Sequence, residues 1–402
     1  MLAVEVQTNR GLITDERAVG LTRVARELAD SGRVDVICIS DNPFGSPHLE
    51  SQVLGADLLS RGQEVVINFS CKDLNRNAIE SRLWALGSAG LHNVLAVTGD
   101  YPLDGFAGAP RPVFDTDSVG LLEMMRRMNQ GLPTSGRTGE RGSGRLQPTA
   151  FYPAATVNPF KRREDELVPQ FRKLVKKVSV GARWIITQLG FDFRRLDELR
   201  RFTRLSGLDA PFIGSVYVLD LPAARYFRRG AVPGVSISDG LLELIERRAG
   251  GKDRGRAFFN EFAAKQTAIL RGLGFRGVYM CCRSPLARFD EILEIESTLD
   301  AGDWRDFVRE LSFPERGGFY LYEADGDTGL SRDELSREYL ASKSKRRGRL
   351  KRLSYPGAVL YGANRLVHET LFKPERAGFR LGRALYRRAE RSRTAGRLLH
   401  AA

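Results

Sequence analysis

The feature of this sequence that most constrains its fold is an alternation of short, apolar, β-branched runs with longer amphipathic stretches. This alternation is typical of repeated βα units, which build a parallel sheet. Eight runs are predicted as strands, at Leu2–Val6, Val34–Ile39, Glu64–Phe69, Asn93–Val97, Ala150–Val157, Trp184–Thr187, Phe212–Val218 and Gly277–Cys281. They predict a closed (β/α)8 TIM barrel, since an open doubly wound sheet usually has fewer strands and a Gly-rich first turn, which is absent here.

The stretches between the strands repeat their apolar residues at helical spacing. They predict helices at Asp15–Ser31, Asn75–Ser88, Ser118–Asn129, Glu164–Val180, Arg195–Ser206, Ser238–Arg248, Arg256–Leu273 and Glu291–Leu299. The α/β barrel is therefore expected to occupy residues 1–300 and to hold the ligands. Residues 301–402 are expected to form a partly helical C-terminal extension, with a last helix around Phe379–Arg393.

One connection, Gly131–Arg145, is long and lacks a hydrophobic period. Its Gly, Ser, Thr and Arg residues predict a mobile loop, which we expect on the active-site side of the barrel. A solvated surface insertion is an equally supported interpretation.

The net charge of +14 is confined to the C-terminal extension. From Ala341 onward there are 17 Lys or Arg residues and 3 Glu residues, so residues 1–340 balance at 46 against 46. The balance of charges in the barrel argues against nucleic-acid binding by that domain. Any acidic partner would bind the extension, which is basic from residue 341.

No apolar run approaches the roughly 20 residues of a membrane-spanning helix, and the N-terminus has no secretion signal. We therefore expect a cytoplasmic protein without membrane insertion.

The four cysteines, Cys38, Cys71, Cys281 and Cys282, lie within or beside apolar runs and form no CxxC pair. They are predicted to be reduced, packed thiols, not zinc ligands or disulfides. No group of His, Asp and Glu residues has metal-ligand spacing, so we expect no catalytic metal.

Polar residues lie at or just after the ends of the predicted strands, where a barrel of this kind builds its pocket. They are Glu5, Asp41, Asn42, Asn68, Lys72, Asp100 with the preceding Gly99, Asn158, Gln188, Tyr217, Asp220 and Arg283. Glu5 stands in the apolar frame LAVEVQ, so it should face the barrel interior, where burial would raise its pKa and suit it to donate a proton. The alternative is a Glu5 paired with a neighbouring cation. Asp100 follows a glycine that lets the backbone approach a ligand.

Seven segments occur along the chain in the order ISDNPFGSP, INFSCKDLNR, LAVTGDYP, PVFDTDSVGLL, AATVNPFK, KKVSVGARWIITQLGFD and FYLYEADGDTGLS. Together they resemble the methylenetetrahydrofolate reductase family, and the resemblance covers roughly residues 2–300. The ordered set, especially GARWIITQLGFD after AATVNPF, makes the resemblance specific.

The resemblance implies a TIM barrel that binds FAD and passes hydride from the reduced flavin to 5,10-methylenetetrahydrofolate, giving 5-methyltetrahydrofolate for methionine biosynthesis. By motif, Glu5 matches the acid that helps to open the folate five-membered ring, and Asp100 matches the acid between flavin and pterin. Gln188 matches a folate-binding glutamine, and Arg283 and Tyr217 are further candidates for folate binding. The flavin-contacting set implied in this way is Ser40, Asp41, Asn68, Thr98, Gly99, Asp100, Asn158 and Lys177.

The chain departs from the family at Thr98, where typical relatives carry a flavin-binding arginine, so the identity of the flavin stays open. The electron donor is NADH, NADPH or a partner protein. Two alternatives are a flavin-independent, folate-dependent one-carbon transferase or demethylase, and a partner-dependent subunit. Some bacterial relatives continue into a cysteine-rich module, so the basic extension could bind a separate cysteine-rich or acidic protein, or pack as a solubilising tail. A homo-oligomer is compatible with the sequence.

Overall fold

Eight parallel strands close into a barrel in the computed structural model of the protein, which describes residues 1–102, 105, 106, 108, 110–135, 141–281, 286–350 and single positions between 366 and 384. In chain order the strands are β1 (Leu2–Val6), β2 (Val36–Ile39), β3 (Val65–Ser70), β4 (Asn93–Val97), β5 (Pro133–Ser135), β6 (Arg141–Arg145), β7 (Tyr152–Val157), β8 (Trp184–Thr187), β9 (Phe212–Tyr217), β10 (Gly277–Cys281), β11 (Tyr322–Ala324) and β12 (Ser331–Leu335). Around the barrel the order is β1, β10, β9, β8, β7, β4, β3, β2, and β2 returns to β1. The predicted TIM barrel is confirmed.

Helices cover the outside of the barrel between its strands, as the amphipathic stretches predict. They are α1 (Glu16–Asp30), α2 (Ser51–Ser60), α3 (Arg76–Ser88), α4 (Ser118–Met128), α5 (Glu164–Ser179), α6 (Phe193–Leu205), α7 (Leu221–Arg228), α8 (Asp239–Ala249) and α9 (Arg256–Gly272), and α10 (Leu286–Ser297) follows the last barrel strand. Two further helices come later in the chain, α11 (Trp304–Leu311) and α12 (Arg337–Leu350). Helix α10 begins five residues before its predicted start, and α2, α7, α11 and α12 were not predicted. The predicted helix at Phe379–Arg393 lies almost entirely outside the described residues.

The barrel lumen is filled by alternate side chains of the strands, because successive residues of a strand point to opposite faces. Its packed core contains Ala3, Cys38, Val66, Leu95, Ala154, Trp184, Ile186, Ile213 and Tyr279. Glu5 and Asn68 share their strand faces with Ala3 and Val66, so both point into the lumen one step nearer the carboxyl ends. The fold therefore places polar groups directly above an apolar core.

The described residues of the segment Gly131–Arg145, which are 131–135 and 141–145, lie at the opposite end of the barrel from the predicted one. It follows α4 and precedes β7, so topology puts it where the strands begin, and it contains the antiparallel pair β5–β6. The backbone N–H of Tyr152, just beyond it, donates to the carbonyl of His92 at the start of β4, at 2.9 Å. The expectation of an active-site loop here was wrong, because a loop that follows a helix returns to the amino ends of the strands.

A segment after the barrel crosses the carboxyl ends of β7 and β8. The N–H of Phe313 donates to the carbonyl of Phe191 at 2.9 Å, and that of Phe319 donates to the carbonyl of Arg162 at 2.8 Å. The hairpin β11–β12 then packs on α6, where the N–H of Tyr322 donates to Oε1 of Glu198 at 2.8 Å. Glu198 is fully buried, and desolvation raises its pKa to about 7.

The chain divides into two compact units, Met1–Ser336 and Arg337–Ala402. The first unit includes α11 and the β11–β12 hairpin as well as the barrel, so it extends past residue 300. In the second unit, α12 carries part of the basic run that begins at residue 341. Within the described residues, no helix is both long enough and apolar enough to cross a membrane.

Candidate active site at the carboxyl ends of the strands

Glu5 is held in the lumen by two hydrogen-bond donors from the neighbouring strands. Ser40, just after β2, donates its hydroxyl to Oε1 of Glu5. Cys281, at the end of β10, donates its thiol to Oε2 at a sulfur–oxygen distance of 3.0 Å. Strand β1 lies between β2 and β10, so barrel closure brings these three residues together from distant parts of the chain. The carboxyl group is fixed in orientation without a direct ion pair to a cation, and the alternative of a cation partner finds no support among the described contacts.

Small polar groups of the lumen surround this carboxyl group. Asn68 donates its amide Nδ2 to the Tyr279 hydroxyl at 3.3 Å, and Oδ1 of Asn68 is buried without a hydrogen-bond partner among the described residues. Burial, with a further contribution from Glu5, raises the pKa of the Cys38 thiol and of the Tyr279 hydroxyl. Both groups are therefore neutral, so Glu5 lies among neutral dipoles, and the buried Oδ1 of Asn68 is an acceptor that no described donor satisfies.

Asp41 takes part in a buried ion pair. Arg82 on α3 donates Nη1 to Oδ2 of Asp41 at 2.8 Å and Nη2 to Oδ1 at 3.2 Å. Oδ2 also accepts the N–H of Ser70 at 2.9 Å. The two side chains are 7% and 10% exposed, so the pair is shielded from solvent. The Asp41 carboxylate is therefore engaged by Arg82 and by the backbone at the end of β3.

The loop between β4 and α4 carries the second predicted acid. Thr98 accepts the N–H of Ser118 at 3.2 Å, so its hydroxyl joins the end of β4 to the start of α4. Gly99 has φ of +94°, and a Cβ there would collide with Ser70 Oγ. Asp100 follows at the surface of the opening, where desolvation raises its pKa and the nearby Lys72 ammonium opposes the rise.

The same loop lines an open cavity of about 450 Å³. It is lined by Thr98, Gly99, Tyr101, Phe114, Thr116 and Asp117. The rings of Tyr101 and Phe114 meet edge to face with centroids 5.3 Å apart. A larger cavity of about 950 Å³ lies between α8, α9 and α11 on the outside of the barrel, and none of the predicted site residues lines it. The strand-end cavity is therefore the one that belongs to the site.

Lys177 projects from α5 towards the carboxyl end of β7. Its Nζ donates to the carbonyl of Thr156 at 2.7 Å, and the side chain is 6% exposed. Desolvation lowers its pKa to about 8, Lys173 adds to the effect and Asp117 opposes it. A buried amine of this kind is suited to meet an anionic group.

Asn158 and Gln188 both contact the segment that follows α7. Asn158 donates Nδ2 to the carbonyl of Gly234 at 3.2 Å, and Gln188 donates Nε2 to the carbonyl of Pro233 at 3.3 Å. Tyr217, at the end of β9, packs edge to face on Phe227 with centroids 4.9 Å apart. The predicted amides are thus brought side by side, while Arg283 lies outside the described residues.

Several residues that shape the site had been given no functional role from the sequence. Lys72, Cys281 and Tyr279 belong to this group, and so does Arg82. Pairing between the first and last strands of a closed barrel was a signal that could have identified Cys281 as a neighbour of Glu5. Arg82 carried no such signal, because it lies on the inner face of a helix. No group of three or more potential metal ligands occurs among the residues that the structure describes.

The arrangement supports proton donation beside a planar ligand. Glu5 is fixed inside the lumen, Asp100 stands at the opening, and Oδ1 of Asn68 is a buried acceptor that no described donor satisfies. A pocket with a few convergent polar groups at the carboxyl ends of barrel strands is the usual form of an active site in this fold.

The chain matches the family model described as methylenetetrahydrofolate reductase over residues 35–266, which is more than half of its length. One similar solved structure is an uncharacterized protein from Clostridium thermocellum that binds two copies of 5-methyl-5,6,7,8-tetrahydrofolic acid. It has 11% sequence identity and a TM-score of 0.48, and the match covers 73% of this chain and 93% of that chain. The comparison with curated proteins found no match. The matched residues run from the segment before β2 into α9 and include most of the strand-end residues. The chain belongs to the methylenetetrahydrofolate reductase family.

Proposed function

We propose that the protein is a cytoplasmic, flavin-dependent oxidoreductase that reduces 5,10-methylenetetrahydrofolate to 5-methyltetrahydrofolate. The observation that carries this proposal is the lumen carboxyl group of Glu5, oriented by Ser40 and Cys281 in a barrel of this family. Opening the folate five-membered ring requires a proton at the departing nitrogen, and a positioned carboxyl group contributes about 10²–10⁴ in rate to such a step. NADH or NADPH is the proposed electron donor.

The described residues fit a flavin ring at the opening of the barrel. Asn68 has an uncommitted buried acceptor, and Gly99 keeps the β4–α4 loop close to the end of β3. Lys177 would meet an anionic part of the cofactor, because its amine is buried and has a backbone carbonyl as its hydrogen-bond partner. When bound, the flavin would supply the hydride to the substrate carbon.

The remaining roles belong to the chain itself. Glu5 would hold and deliver the proton to the folate nitrogen, while Asp100 would bind the amino edge of the pterin with its carboxylate. Gln188 would orient the pterin through its amide, and to do so it would exchange its present contact with Pro233 for the ligand. Tyr217 and Arg283 remain proposed folate contacts, and an arginine there would pair with the glutamate portion of folate.

A flavin-independent enzyme acting on the same folate is the second candidate, and Thr98 favours it. At the position of the family's flavin-binding arginine, the threonine hydroxyl is bonded to the start of α4. The N-cap of that helix is the Asp117 carboxylate, which accepts hydrogen bonds from the N–H groups that would otherwise attract a phosphate.

A partner-dependent subunit, with the basic extension bound to an acidic or cysteine-rich protein, is the third candidate. Turnover by the isolated chain would exclude it.

The experiment is an absorbance spectrum of the purified protein with added FAD, followed by anaerobic titration with NADH. We expect a yellow protein whose flavin bleaches on titration and reoxidises with methylenetetrahydrofolate. Glu5→Gln should still be bleached by NADH but lose folate reduction by at least about 10²-fold. Glu27→Gln, at an exposed position on α1, is the matched control and should be unaffected. A protein that takes up no flavin but binds folate tightly would support the second candidate instead.

A further inference from the structure

The segment that crosses the carboxyl ends of β7 and β8, residues 313–320, is bonded to the loops that follow both strands. The N–H of Phe313 donates to the carbonyl of Phe191 in the loop after β8, at 2.9 Å. The N–H of Phe319 donates to the carbonyl of Arg162 in the loop after β7, at 2.8 Å. This crossing segment therefore joins two strand-end loops to each other from outside the barrel.

The crossing segment ends in Tyr320, whose hydroxyl enters a buried polar cluster. The hydroxyl donates to Oδ2 of Asp192 at 2.5 Å, and Nε of Arg195 lies 3.3 Å from the same oxygen. Arg195 also donates Nη1 to the carbonyl of Lys161 at 2.7 Å, and its Cζ lies 4.7 Å from the centroid of the Tyr320 ring. Burial, with Asp192 beside it, raises the pKa of Tyr320, so the hydroxyl keeps its proton as a donor. Through this cluster one tyrosine contacts the loop after β8 directly and the loop after β7 through Arg195.

Two glycines make the packing of these parts close. A Cβ on Gly190, in the loop after β8, would lie 2.4 Å from the ring of Phe160 in the loop after β7. A Cβ on Gly318, in the crossing segment, would lie 2.6 Å from Nη2 of Arg195. Neither contact has room for a side chain, so the two loops and the crossing segment pack as one unit.

The two loops carry the predicted amide side chains of the site, and each amide is bonded to its own loop. Oδ1 of Asn158 accepts the N–H of Phe160 at 2.9 Å, and Oε1 of Gln188 accepts the N–H of Leu189 at 2.8 Å. The oxygen of each amide is thus fixed to the backbone, which leaves the nitrogen to face outward from the loop. The position of each amide nitrogen therefore follows the position of its loop.

We propose that the crossing segment positions the folate-binding amide of Gln188, and that Tyr320 is the positioning residue, holding the loop after β8 through Asp192. This proposal rests on the proposed function, because that function gives Gln188 its role at the pterin. It adds that a tyrosine 128 positions from its aspartate partner, beyond the last barrel strand, controls folate affinity without touching the ligand. A displacement of about 1 Å is enough to remove much of what a positioned group contributes.

The test uses the full-length protein and Tyr320→Phe, which keeps the ring and removes only the hydroxyl. The Kd for 5-methyltetrahydrofolate, measured by calorimetry, should rise about tenfold, as expected for the loss of one hydrogen bond to the ligand. Hydrogen–deuterium exchange should rise in residues 189–192 and stay unchanged in β1–β4, which separates a local release from general destabilisation. Tyr152→Phe, at a half-exposed position on β7, is the matched control and should change neither quantity.

A second variant acts on the same cluster from another side. Gly318→Ala adds a Cβ against Arg195 and leaves Tyr320 intact, so it should weaken folate binding and raise exchange in the same loop. Its matched control is Gly326→Ala in the β11–β12 hairpin, where the added Cβ meets open space and both quantities should stay as in the wild type.

Combination with Gln188→Ala separates a positioning role from a merely structural one. Because Tyr320 acts through the glutamine, the double variant Tyr320→Phe, Gln188→Ala should bind folate no more weakly than Gln188→Ala alone. Losses that multiply would overturn the proposal. So would wild-type folate affinity in both Tyr320→Phe and Gly318→Ala when Gln188→Ala binds more weakly.

A failure of the proposed function gives a different result. If Gln188→Ala keeps wild-type folate affinity while exchange in residues 189–192 still rises in Tyr320→Phe, the attachment of the loop is upheld and the role given to Gln188 at the pterin is refuted.

Discussion

Replacing Glu198 by glutamine should remove a large part of the pH dependence of folding stability. Glu198 is 0% exposed, its Oε1 accepts the N–H of Tyr322 at 2.8 Å, and its Oε2 has no hydrogen-bond partner among the described residues. Desolvation raises its pKa from the ordinary value of 4.5 to about 7, although the Tyr322 N–H, Arg194 and Arg195 oppose the rise. The folded protein therefore binds this proton more tightly than the unfolded chain does.

The sign and size of the effect follow from proton linkage. The contribution of Glu198 is fully present below pH 4.5 and is lost as the pH rises through about 7. A pKa difference of about 2.5 corresponds to about 3 kcal/mol between the two limits. Glutamine is neutral at every pH and keeps an acceptor for the N–H of Tyr322. The free energy of unfolding of the wild type should thus fall relative to Glu198→Gln by about 3 kcal/mol between pH 4.5 and pH 8.5.

Urea unfolding followed by tryptophan fluorescence, repeated across this pH range, measures the difference. The matched control is Glu334→Gln on β12, where the side chain is exposed and the stability difference from wild type should not vary with pH. The reasoning would be refuted if the difference between wild type and Glu198→Gln were constant from pH 4.5 to pH 8.5.

Two further predictions concern the site itself. Gly99→Ala should destabilise the protein by about 1–3 kcal/mol and reduce folate turnover, because its φ is +94° and the added Cβ meets Ser70 and Lys72. Gly62→Ala shares a positive φ of +83° but has open space around it, so a fluorescence-monitored melt should show a smaller loss there, and equal losses would contradict the packing argument. Lys177→Met should stabilise the protein at pH 7 by about 1–3 kcal/mol, because the charged amine of a lysine with a pKa of about 8 is unfavourable when buried. The gain should shrink as the pH rises from 8 to 10.5, where the wild-type amine is neutral in the fold. Flavin affinity should fall at pH 7, where the wild-type amine is charged. A stability gain that is the same at pH 10.5 as at pH 7 would refute the burial argument.

The strands could be predicted from the sequence because each is a short apolar run bounded by polar residues. The bounds of β1, β4, β8 and β10 are as predicted, and the other barrel strands differ from prediction by at most two residues at either end. Helix α2 was not predicted because Gly55 interrupts its apolar pattern. The structure explains this glycine, since a Cβ there would lie 2.9 Å from Cδ1 of Ile67 on β3. The close packing of α2 on β3 requires a glycine at a position where an apolar residue would have completed the helical pattern. The sequence pattern of this helix is therefore weaker than usual.

The candidate site could be predicted as a set of positions but not as a set of contacts. Glu5, Asp100 and Gln188 were singled out because they stand at or beside strand ends, and the family resemblance gave each a role that stays a prediction. The hydrogen-bond partners of site residues depend on which groups meet in three dimensions: Arg82 donates to Asp41 from a helix, and Gln188 donates to the backbone carbonyl of Pro233 in a loop. The spacing of residues along the chain does not predict these contacts.

The thiol contact between Cys281 and Glu5 joins residues 276 positions apart. The proposed proton donor is therefore complete only in a chain that contains both the first and the last barrel strand. A fragment that ends before β10 would retain most of the matched segments and yet lack one of the two groups that orient its acid. The orientation of the Glu5 carboxyl group therefore depends on closure of the whole barrel. A correctly oriented Glu5 indicates that β1 and β10 have paired and that the ring of strands is complete.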